Sequence, residues 1–349
     1  MILALAAGLL VACGLLAQSQ SAGPDVCAPC HPSQSKNHRL NGMANALQQA
    51  GKSDILRTNT ALEFSEGQYR TTIAREDQGS TLTVTDGKDV LRARILWAFG
   101  LGRAGQTYVF EHAGELFESR VSYYSDLKGL DLTMGARGSK PASLVEAAGR
   151  RMDNADVRQC FGCHSTGGVR KGKMVWEAMT PGIACENCHG DALQHVEARR
   201  RGSRFAPAMR NLKSVTAEEM NELCGACHRT WGQVVEMKIR GPLNVRFQPY
   251  RITNSKCFDA DDRRIACTAC HDPHSELATA PAAYDSVCLG CHAAASTSKN
   301  AGVKSGRICH TGQKECVTCH MPKVALPGAH YAFADHQIRV VRPGDPYPN

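Results

Sequence analysis

The chain has 349 residues but few aromatic side chains, which make up only 6% of the composition. That is little for the hydrophobic cores of the two or three domains that this length allows. The apolar stretch over residues 2–16 carries no charge and is too short to span a bilayer comfortably. No basic run with interleaved aromatics accompanies the net charge of +8, so we expect no nucleic-acid partner.

The same apolar stretch stands where the hydrophobic part of an export signal belongs. Within it, Leu10-Val11-Ala12-Cys13 resembles the bacterial lipobox, in which the cysteine becomes the lipidated first residue of the mature protein. The alternative is an ordinary signal cleaved after Ala17 or Ala22. No Lys or Arg precedes the stretch, which is a departure from the usual pattern. We predict export to the periplasm or cell envelope, with attachment to the membrane through a lipid on Cys13.

The pattern Cys-x-x-Cys-His occurs seven times, and six copies lie within residues 160–320. Two thiols three positions apart can reach the two vinyl groups on one edge of a porphyrin, and the adjacent imidazole then binds the iron. A zinc site or a redox dithiol needs paired cysteines but has no use for a histidine always in the fifth position. The pattern therefore predicts seven covalently attached c-type haems (heme c). Its cysteines are Cys27, Cys30, Cys160, Cys163, Cys185, Cys188, Cys224, Cys227, Cys267, Cys270, Cys288, Cys291, Cys316 and Cys319, and its histidines, the proximal iron ligands, are His31, His164, His189, His228, His271, His292 and His320.

Seven haems change what the composition implies. Their macrocycles would supply the apolar volume that the aromatic residues do not. Two propionates and one ferric-porphyrin charge per haem would lower the net charge from +8 to about +1. The basic residues would then balance the negative charge of the propionates. A chain with this many cysteines also suits an extracytoplasmic compartment, where thioether attachment takes place.

We expect a mainly α fold with much irregular loop, built around stacked haems, with a small antiparallel β module between the first and second haem sites. The intervals between the six clustered motifs are 25, 39, 43, 21 and 28 residues, which is too irregular for a solenoid. The predicted divisions are a signal or lipoprotein segment over residues 1–22, the first haem site and a helix over 23–60, the β module over 61–140 and a hexahaem cytochrome domain over 141–349.

The predicted β module lacks haem motifs and has a different periodicity. Residues 68–75 and 80–85 alternate between apolar and polar side chains and are separated by a polar turn, as in two antiparallel strands. His112-Ala113-Gly114 is typical of the turn of a later hairpin. On the N-terminal side of the module, residues 34–50 fit a helix.

Seven histidines lie outside the motifs, as many as there are haems, so every iron could be ligated by two histidines. His195 and His274 follow closely after haem motifs, and His310, His330 and His336 flank the last one; we expect all five to be distal ligands. His38 and Met43 compete for the first haem, and Met would raise its potential. His112, in a predicted turn, is more typical of a solvated residue. The remaining cysteines, Cys257 and Cys309, could form a disulfide, stay as free thiols, or in one case approach an iron.

With these residues, the chain resembles the multihaem cytochrome c family typified by the nitrifiers' tetrahaem cytochrome, the electron acceptor of hydroxylamine oxidoreductase. The resemblance implies that His195, His274, His330 and His336 are distal ligands and that Met43 can ligate a haem. The chain departs from this family in its haem number, seven rather than four. The resemblance is concentrated in residues 27–43, residues 108–125 with Arg120-Val121-Ser122-Tyr123-Tyr124, Cys185-Glu186-Asn187-Cys188-His189-Gly190, residues 257–274, and Cys316-Val317-Thr318-Cys319-His320-Met321-Pro322-Lys323.

These features favour an electron carrier over an enzyme. Closely packed, six-coordinate haems would pass electrons between a membrane or periplasmic donor and another redox protein. The alternative is an enzyme with one open haem that acts on nitrite, hydroxylamine or a similar small oxyanion. Pentahaem nitrite reductases mark such a haem with Lys in place of the proximal His, and no such motif is present here. Octahaem hydroxylamine oxidoreductases use a cross-linked Tyr, for which Tyr123 and Tyr124 are candidates. A third hypothesis is a surface lipoprotein that polymerises or docks into an outer-membrane assembly.

Overall fold

A computed structural model describes residues 23–77, 79–293 and 308–348. The predicted export segment and Cys13 lie outside the described residues. The strands are β1 (Leu47–Gln49), β2 (Ala61–Glu66), β3 (Tyr69–Glu76), β4 (Gly79–Thr85), β5 (Val90–Phe99), β6 (Gln106–His112), β7 (Glu115–Tyr124), β8 (Gly129–Leu132), β9 (Gly149–Arg151), β10 (Ser165–Thr166), β11 (Val169–Arg170), β12 (Lys173–Met174), β13 (Thr180–Pro181), β14 (Lys323–Ala325) and β15 (Ala332–Ala334).

The helices are short and carry most of the haem motifs. They are α1 (Pro24–Cys27), α2 (Pro32–His38), α3 (Asp54–Thr58), α4 (Leu144–Ala148), α5 (Asn154–His164), α6 (Cys185–His189), α7 (Leu193–Arg200), α8 (Ala217–His228), α9 (Trp231–Glu236), α10 (Gln248–Thr253), α11 (Cys267–Cys270), α12 (Asp285–His292) and α13 (Cys316–His320), with single 3₁₀ turns at Ala50–Lys52, Ala136–Gly138, Trp176–Ala178, Gly241–Arg246, Arg263–Ile265 and Pro281–Tyr284.

A large antiparallel sheet dominates the N-terminal part. Strands β2 to β8 follow one another in sequence order, β1 pairs with β5, and β9 pairs with β7. The sheet curls until β2 and β8 are neighbours. A bidentate ion pair ties β7 to β2 across this gap: Arg120 Nε and Nη2 donate to the two Glu66 carboxylate oxygens over 2.6 and 2.8 Å. The sheet is therefore nearly closed.

This sheet makes the prediction of a mainly α fold wrong. Strands β5 and β7 have 10 residues each, whereas the helices that carry haem motifs have between 4 and 12. The β part is thus a major component of the molecule and not a small insertion. The predicted helix over residues 34–50 is also shorter than expected, because it ends at His38 and residues 47–49 form a strand instead. The hairpin turn at Ala113 and Gly114 is present, with φ values of 52° and 79°.

The alternating sequence explains the interior of the sheet. Every second residue of a strand points to the same face, and in β4 the inward side chains Leu82 and Val84 are fully buried. They pack in one cluster with side chains from the neighbouring strands, including Ile73 and Ile95. Helix α4 closes the cluster with two alanines.

The outer face of the sheet holds the second haem motif. Phe161, inside that motif on α5, is fully buried and packs edge-on against Phe99 and Trp97 of β5, with ring centroids 5.1 and 5.9 Å apart. Trp176 covers the ring from the other side at 5.0 Å. An aromatic cluster of this kind stabilises through buried area and edge-to-face contact. The sheet is therefore a wall of the second haem site.

The C-terminal part has little apolar core of its own. Its buried clusters are small among the described residues: one centres on Ala217, Met220 and Ala266, and another on Val245 and Leu326. This small amount of buried apolar surface is too little to stabilise a part of the chain of this length by itself. The structure therefore agrees with an interior that haem groups complete. Among the residues described, no helix is long and apolar enough to cross a membrane.

Replacing the buried Phe161 ring should weaken the packing between the sheet and the second haem site. We expect Phe161→Ala to lower the free energy of unfolding by about 3–5 kcal/mol, because it leaves a cavity between β5 and α5. Urea unfolding followed by far-UV circular dichroism measures the change. Phe205→Ala is the matched control, since Phe205 is 94% exposed. Equal stability of the two variants would contradict this packing role.

Candidate haem-binding sites

Five of the haem motifs end a helix. Helices α5, α6, α8, α12 and α13 each end with the histidine of a motif, and α11 contains both cysteines of the fifth motif. On a helix, residues i, i+3 and i+4 share one face. In those five helices both thiols and the imidazole are thereby directed to the same side, as attachment to one porphyrin requires.

Helix α5 begins with a side-chain cap that fixes where its motif falls. Asp153 accepts from two backbone N–H groups of the first turn, and Asp156 accepts in return from the backbone N–H of Asp153. This reciprocal arrangement is a capping box. Thr216 and Glu219 form the same arrangement at the start of α8. Each helix then runs two or more turns before its last turn presents the cysteines and histidine.

Several proximal imidazoles are oriented by backbone carbonyl groups. The Nδ1 atom of His164 lies 2.9 Å from the Ala46 oxygen, that of His189 lies 3.0 Å from the Arg210 oxygen, and that of His320 lies 2.9 Å from the Arg339 oxygen. A carbonyl oxygen can only accept, so Nδ1 donates and Nε2 keeps its lone pair. The second nitrogen of each ring is therefore available to an iron.

Two predicted distal ligands have the same arrangement. His195 donates from Nδ1 to the Pro207 oxygen over 2.9 Å, and His336 donates to the Ala334 oxygen over 3.0 Å. A hydrogen bond of this kind fixes the tautomer and the plane of a metal-binding imidazole. His271 is an exception, because its Nδ1 is buried without a hydrogen-bond partner.

Two pairs of imidazoles stand at the separation that one iron requires. The ring centroids of His189 and His274 are 6.0 Å apart, and those of His271 and His336 are 6.1 Å apart. Two imidazoles on one iron have centroids about 6 Å apart, because each metal–nitrogen bond is about 2 Å and each nitrogen lies about 1 Å from its ring centre. These separations are those that shared ligation of the third haem by His189 and His274, and of the fifth by His271 and His336, would require; ligation by His274 and His336 stays a prediction.

Burial keeps several of these imidazoles unprotonated. It lowers the pKa of His336 to about 4, and it also lowers the pKa values of His164, His228 and His271. Burial disfavours the charged form of histidine. Only the neutral imidazole has a lone pair for iron, so the protein environment favours the ligating form at neutral pH.

The other predicted ligands lie in different surroundings. His330 places its Nε2 2.6 Å from Asp131 Oδ2, and its ring packs edge-on against Tyr124. Ligation by His330 stays a prediction and would require this nitrogen to leave Asp131 or Nδ1 to bind the iron. His38 is half-buried, and burial and the nearby His274 lower its pKa.

Met43 is also half-buried, with its carbonyl accepting from Ile183 N. His310 is exposed, while His112 ends β6 beside the ring of Phe117. These placements leave the choice of ligand for the first haem open.

The two described cysteines outside the motifs, Cys257 and Cys309, form no disulfide within the described residues. Cys257 is exposed and Cys309 is half-buried, and both are free thiols. Within the residues that the structure describes, no three Cys, His, Asp or Glu side chains come together as ligands of a bare metal ion. A zinc site of the ordinary kind needs four such ligands. The motif residues therefore fit c-type haem better than zinc.

Cysteines of different motifs lie close together. The thiols of Cys27 and Cys185, Cys163 and Cys227, Cys224 and Cys267, and Cys288 and Cys316 are near enough to shift one another's pKa. Cys163 Sγ also lies 3.9 Å from the Ala226 carbonyl oxygen. Each thiol marks the edge of a porphyrin. Porphyrins attached to paired thiols would therefore have their edges close to contact.

Removing one imidazole of a pair should open one iron. We expect His274→Ala to convert a single haem from low spin to high spin, because the third iron loses its sixth ligand while all thioether bonds remain. Electron paramagnetic resonance measures the spin state, and the pyridine haemochrome absorbance should not change. His112→Ala is the control, since this histidine lies in the sheet. An unchanged low-spin spectrum in His274→Ala would contradict the pairing with His189.

Residues 135–190 match the protein family described as cytochrome c554 and c-prime. This segment contains the second and third motifs and ends just after His189. No curated protein matches the chain.

The crystal structure of the outer cell wall cytochrome OcwA is similar in fold, with a TM-score of 0.53 and 15% sequence identity. The similarity covers 93% of this chain and 80% of that one. The family match and the repeated motifs agree on the cofactor, which is c-type haem. The chain is a multihaem c-type cytochrome.

Proposed function

We propose that the protein binds seven haems and carries electrons along them between redox partners of the cell envelope. The observation that carries this proposal is the pairing of thiols from different motifs, which brings porphyrin edges together. Electron transfer between haems needs short edge separations and little change at the iron. The two imidazole pairs favour little change at the iron, because a six-coordinate iron keeps both ligands in either oxidation state.

The thiol contacts also suggest an order for the haems. Cys224 of the fourth motif is close to Cys267 of the fifth, and the charge of Cys224 raises the pKa of Cys188 of the third motif. Cys270 of the fifth motif is near Cys288 of the sixth, which is close to Cys316 of the seventh. We therefore propose a path from the third haem through to the seventh. The first haem joins it at the third, through Cys27 and Cys185, and the second joins it at the fourth, through Cys163 and Cys227.

This order makes the fourth haem the junction of the path, and its removal tests the function. We expect Cys224→Ala/Cys227→Ala to add a slow phase when a substoichiometric reductant is mixed with the protein, because the first three haems are separated from the last three. Stopped-flow absorbance measures how electrons redistribute. Cys160→Ala/Cys163→Ala removes the second haem, a branch end, and should leave a single fast phase.

Mass spectrometry should find six haems in each of these variants and seven in the parent. A slow phase in both variants or in neither would contradict the order. Fewer than seven haems in the parent would contradict the proposed number.

A second candidate function rests on the surroundings of the fourth motif. The imidazole of His228 lies near Gln248 and His164, and it belongs to neither of the two imidazole pairs described above. Arg246 has a buried Nε without a hydrogen-bond partner, and burial and the nearby Arg229 lower its pKa. Two such cations beside an open iron would attract a small anion. The alternative is therefore reduction of nitrite or a similar oxyanion. A high-spin resonance in the oxidised protein that disappears with nitrite or hydroxylamine would favour it over the carrier.

We also propose that the protein acts outside the cytoplasm and is anchored by a lipid on Cys13. Support comes from the lipobox sequence and from the description of OcwA as an outer cell wall protein. Cys13→Ala should move the protein from the membrane fraction to the soluble fraction, because one lipidated residue holds it there. Cell fractionation and immunoblotting measure this. Cys257→Ala, which alters another cysteine outside the haem motifs, should stay with the membrane. Retention of Cys13→Ala in the membrane would contradict the anchor.

A further inference from the structure

Arg251 on α10 is a fully buried charged residue, and its partner Asp335 is also fully buried. Its Nε and Nη2 donate to the two Asp335 carboxylate oxygens over 2.8 and 2.9 Å. A buried ion pair is weak evidence for stability, because removing both charges from water costs about as much as their attraction returns. The role of this ion pair must therefore lie in the segments that it holds in position.

The guanidinium of Arg251 connects more than its carboxylate partner. Its Nη1 donates to Asn244 Oδ1 over 3.3 Å and to the Pro348 carbonyl over 3.0 Å. The Tyr347 ring covers it, with its centroid 4.6 Å from the guanidinium carbon. Arg251 thus joins α10, a 3₁₀ turn and the C-terminal tail around Asp335. The planar fork of arginine fixes the direction of a carboxylate in a way that a lysine ammonium cannot.

The segment that Arg251 holds supports two haem sites. His336 follows Asp335 directly, and its ring pairs with that of His271 at 6.1 Å. Four residues after Asp335, the Arg339 carbonyl accepts from His320 Nδ1 over 2.9 Å. Arg339 also donates from Nη1 to Asp335 Oδ2 over 2.5 Å. One carboxylate therefore lies between a distal ligand of the fifth haem and the group that orients the proximal ligand of the seventh.

A second set of hydrogen bonds holds the same segment as the ion pair. Ser255, just after α10, donates from Oγ to the His336 carbonyl over 3.2 Å and accepts from Ile338 N over 2.8 Å. Gln337 N donates to Asp335 Oδ1 over 3.0 Å. Residues 335–339 are thus hydrogen-bonded along their length to α10 and to Ser255, two residues after the helix ends. A shift of α10 would move the supports of both histidines together.

We propose that Arg251 is a positioning residue that fixes residues 335–339, so that His336 reaches the fifth iron and the Arg339 carbonyl orients His320 on the seventh. This inference rests on the proposed ligation of the fifth haem by His336. An iron–nitrogen bond tolerates little displacement, since its length is about 2 Å. Without the guanidinium fork, Asp335 keeps only its hydrogen bonds to Arg339 and Gln337 of its own segment, so the segment is no longer fixed to α10 through Arg251, and His336 leaves the iron in part of the molecules.

The test compares spin states in variants of the full-length holoprotein. Arg251→Lys keeps the charge and removes the fork, and Arg251→Gln/Asp335→Asn removes both charges, so that no lone carboxylate is buried. His336→Ala reports direct loss of the ligand. Arg92→Gln is the matched control, because it breaks an exposed ion pair with Glu76 in the sheet. The measurements are electron paramagnetic resonance of the oxidised protein and haem counting by mass spectrometry.

We expect one high-spin haem in His336→Ala and a fraction of one haem in both Arg251 variants, with shifted low-spin g values from the seventh haem. Added imidazole should return the high-spin fraction to low spin, and Arg92→Gln should match the parent. A low-spin spectrum in His336→Ala would refute the ligation itself. A high-spin haem in His336→Ala with parental spectra in both Arg251 variants would overturn only the positioning role. Loss of haems or failure to fold in the double variant would also overturn it, because Arg251 would then be needed for folding.

Discussion

An imidazole binds iron in a fixed direction only when its second nitrogen is committed to another partner. Here that partner is a backbone carbonyl at five histidines, and at His164 the carbonyl comes from a distant part of the chain. The Ala46 carbonyl lies 118 residues before the imidazole that it orients. Each haem site thus depends on the relative placement of two segments. The folded backbone thus fixes the orientation of imidazoles that would hold the irons.

This dependence explains why the sheet and the haem region form one structure. The loop before β1 supplies the carbonyl for His164, while Phe99 of β5 contacts both the His164 ring and Phe161 of the same motif. Four aromatic residues, Trp97, Phe99, Phe161 and Trp176, meet where the sheet contacts this haem site. The sheet therefore has a role in ligand geometry that does not require it to bind any partner.

The parts of the structure that follow from local sequence could be predicted, and those that follow from distant contacts could not. The motif spacing places both thiols and the histidine on one helical face, and the pattern at Ala113 and Gly114 indicates a tight turn. The carbonyl partners carry no sequence signature, because every residue has a carbonyl group. Asp335 lies 84 residues from Arg251 and Asp131 lies 199 residues from His330, so neither contact could be inferred. The mainly α prediction was wrong because haem motifs indicate helical turns and say nothing of the strands between them.

The paired thiols also constrain how the protein can be made. Cys27 and Cys185 lie close together in the folded chain, and so do Cys163 and Cys227. In an oxidising compartment, free thiols that are this close compete for disulfide formation with attachment to a porphyrin. Attachment of haem while the motifs are still apart avoids this competition. The placement of these thiols therefore favours haem attachment before folding is complete.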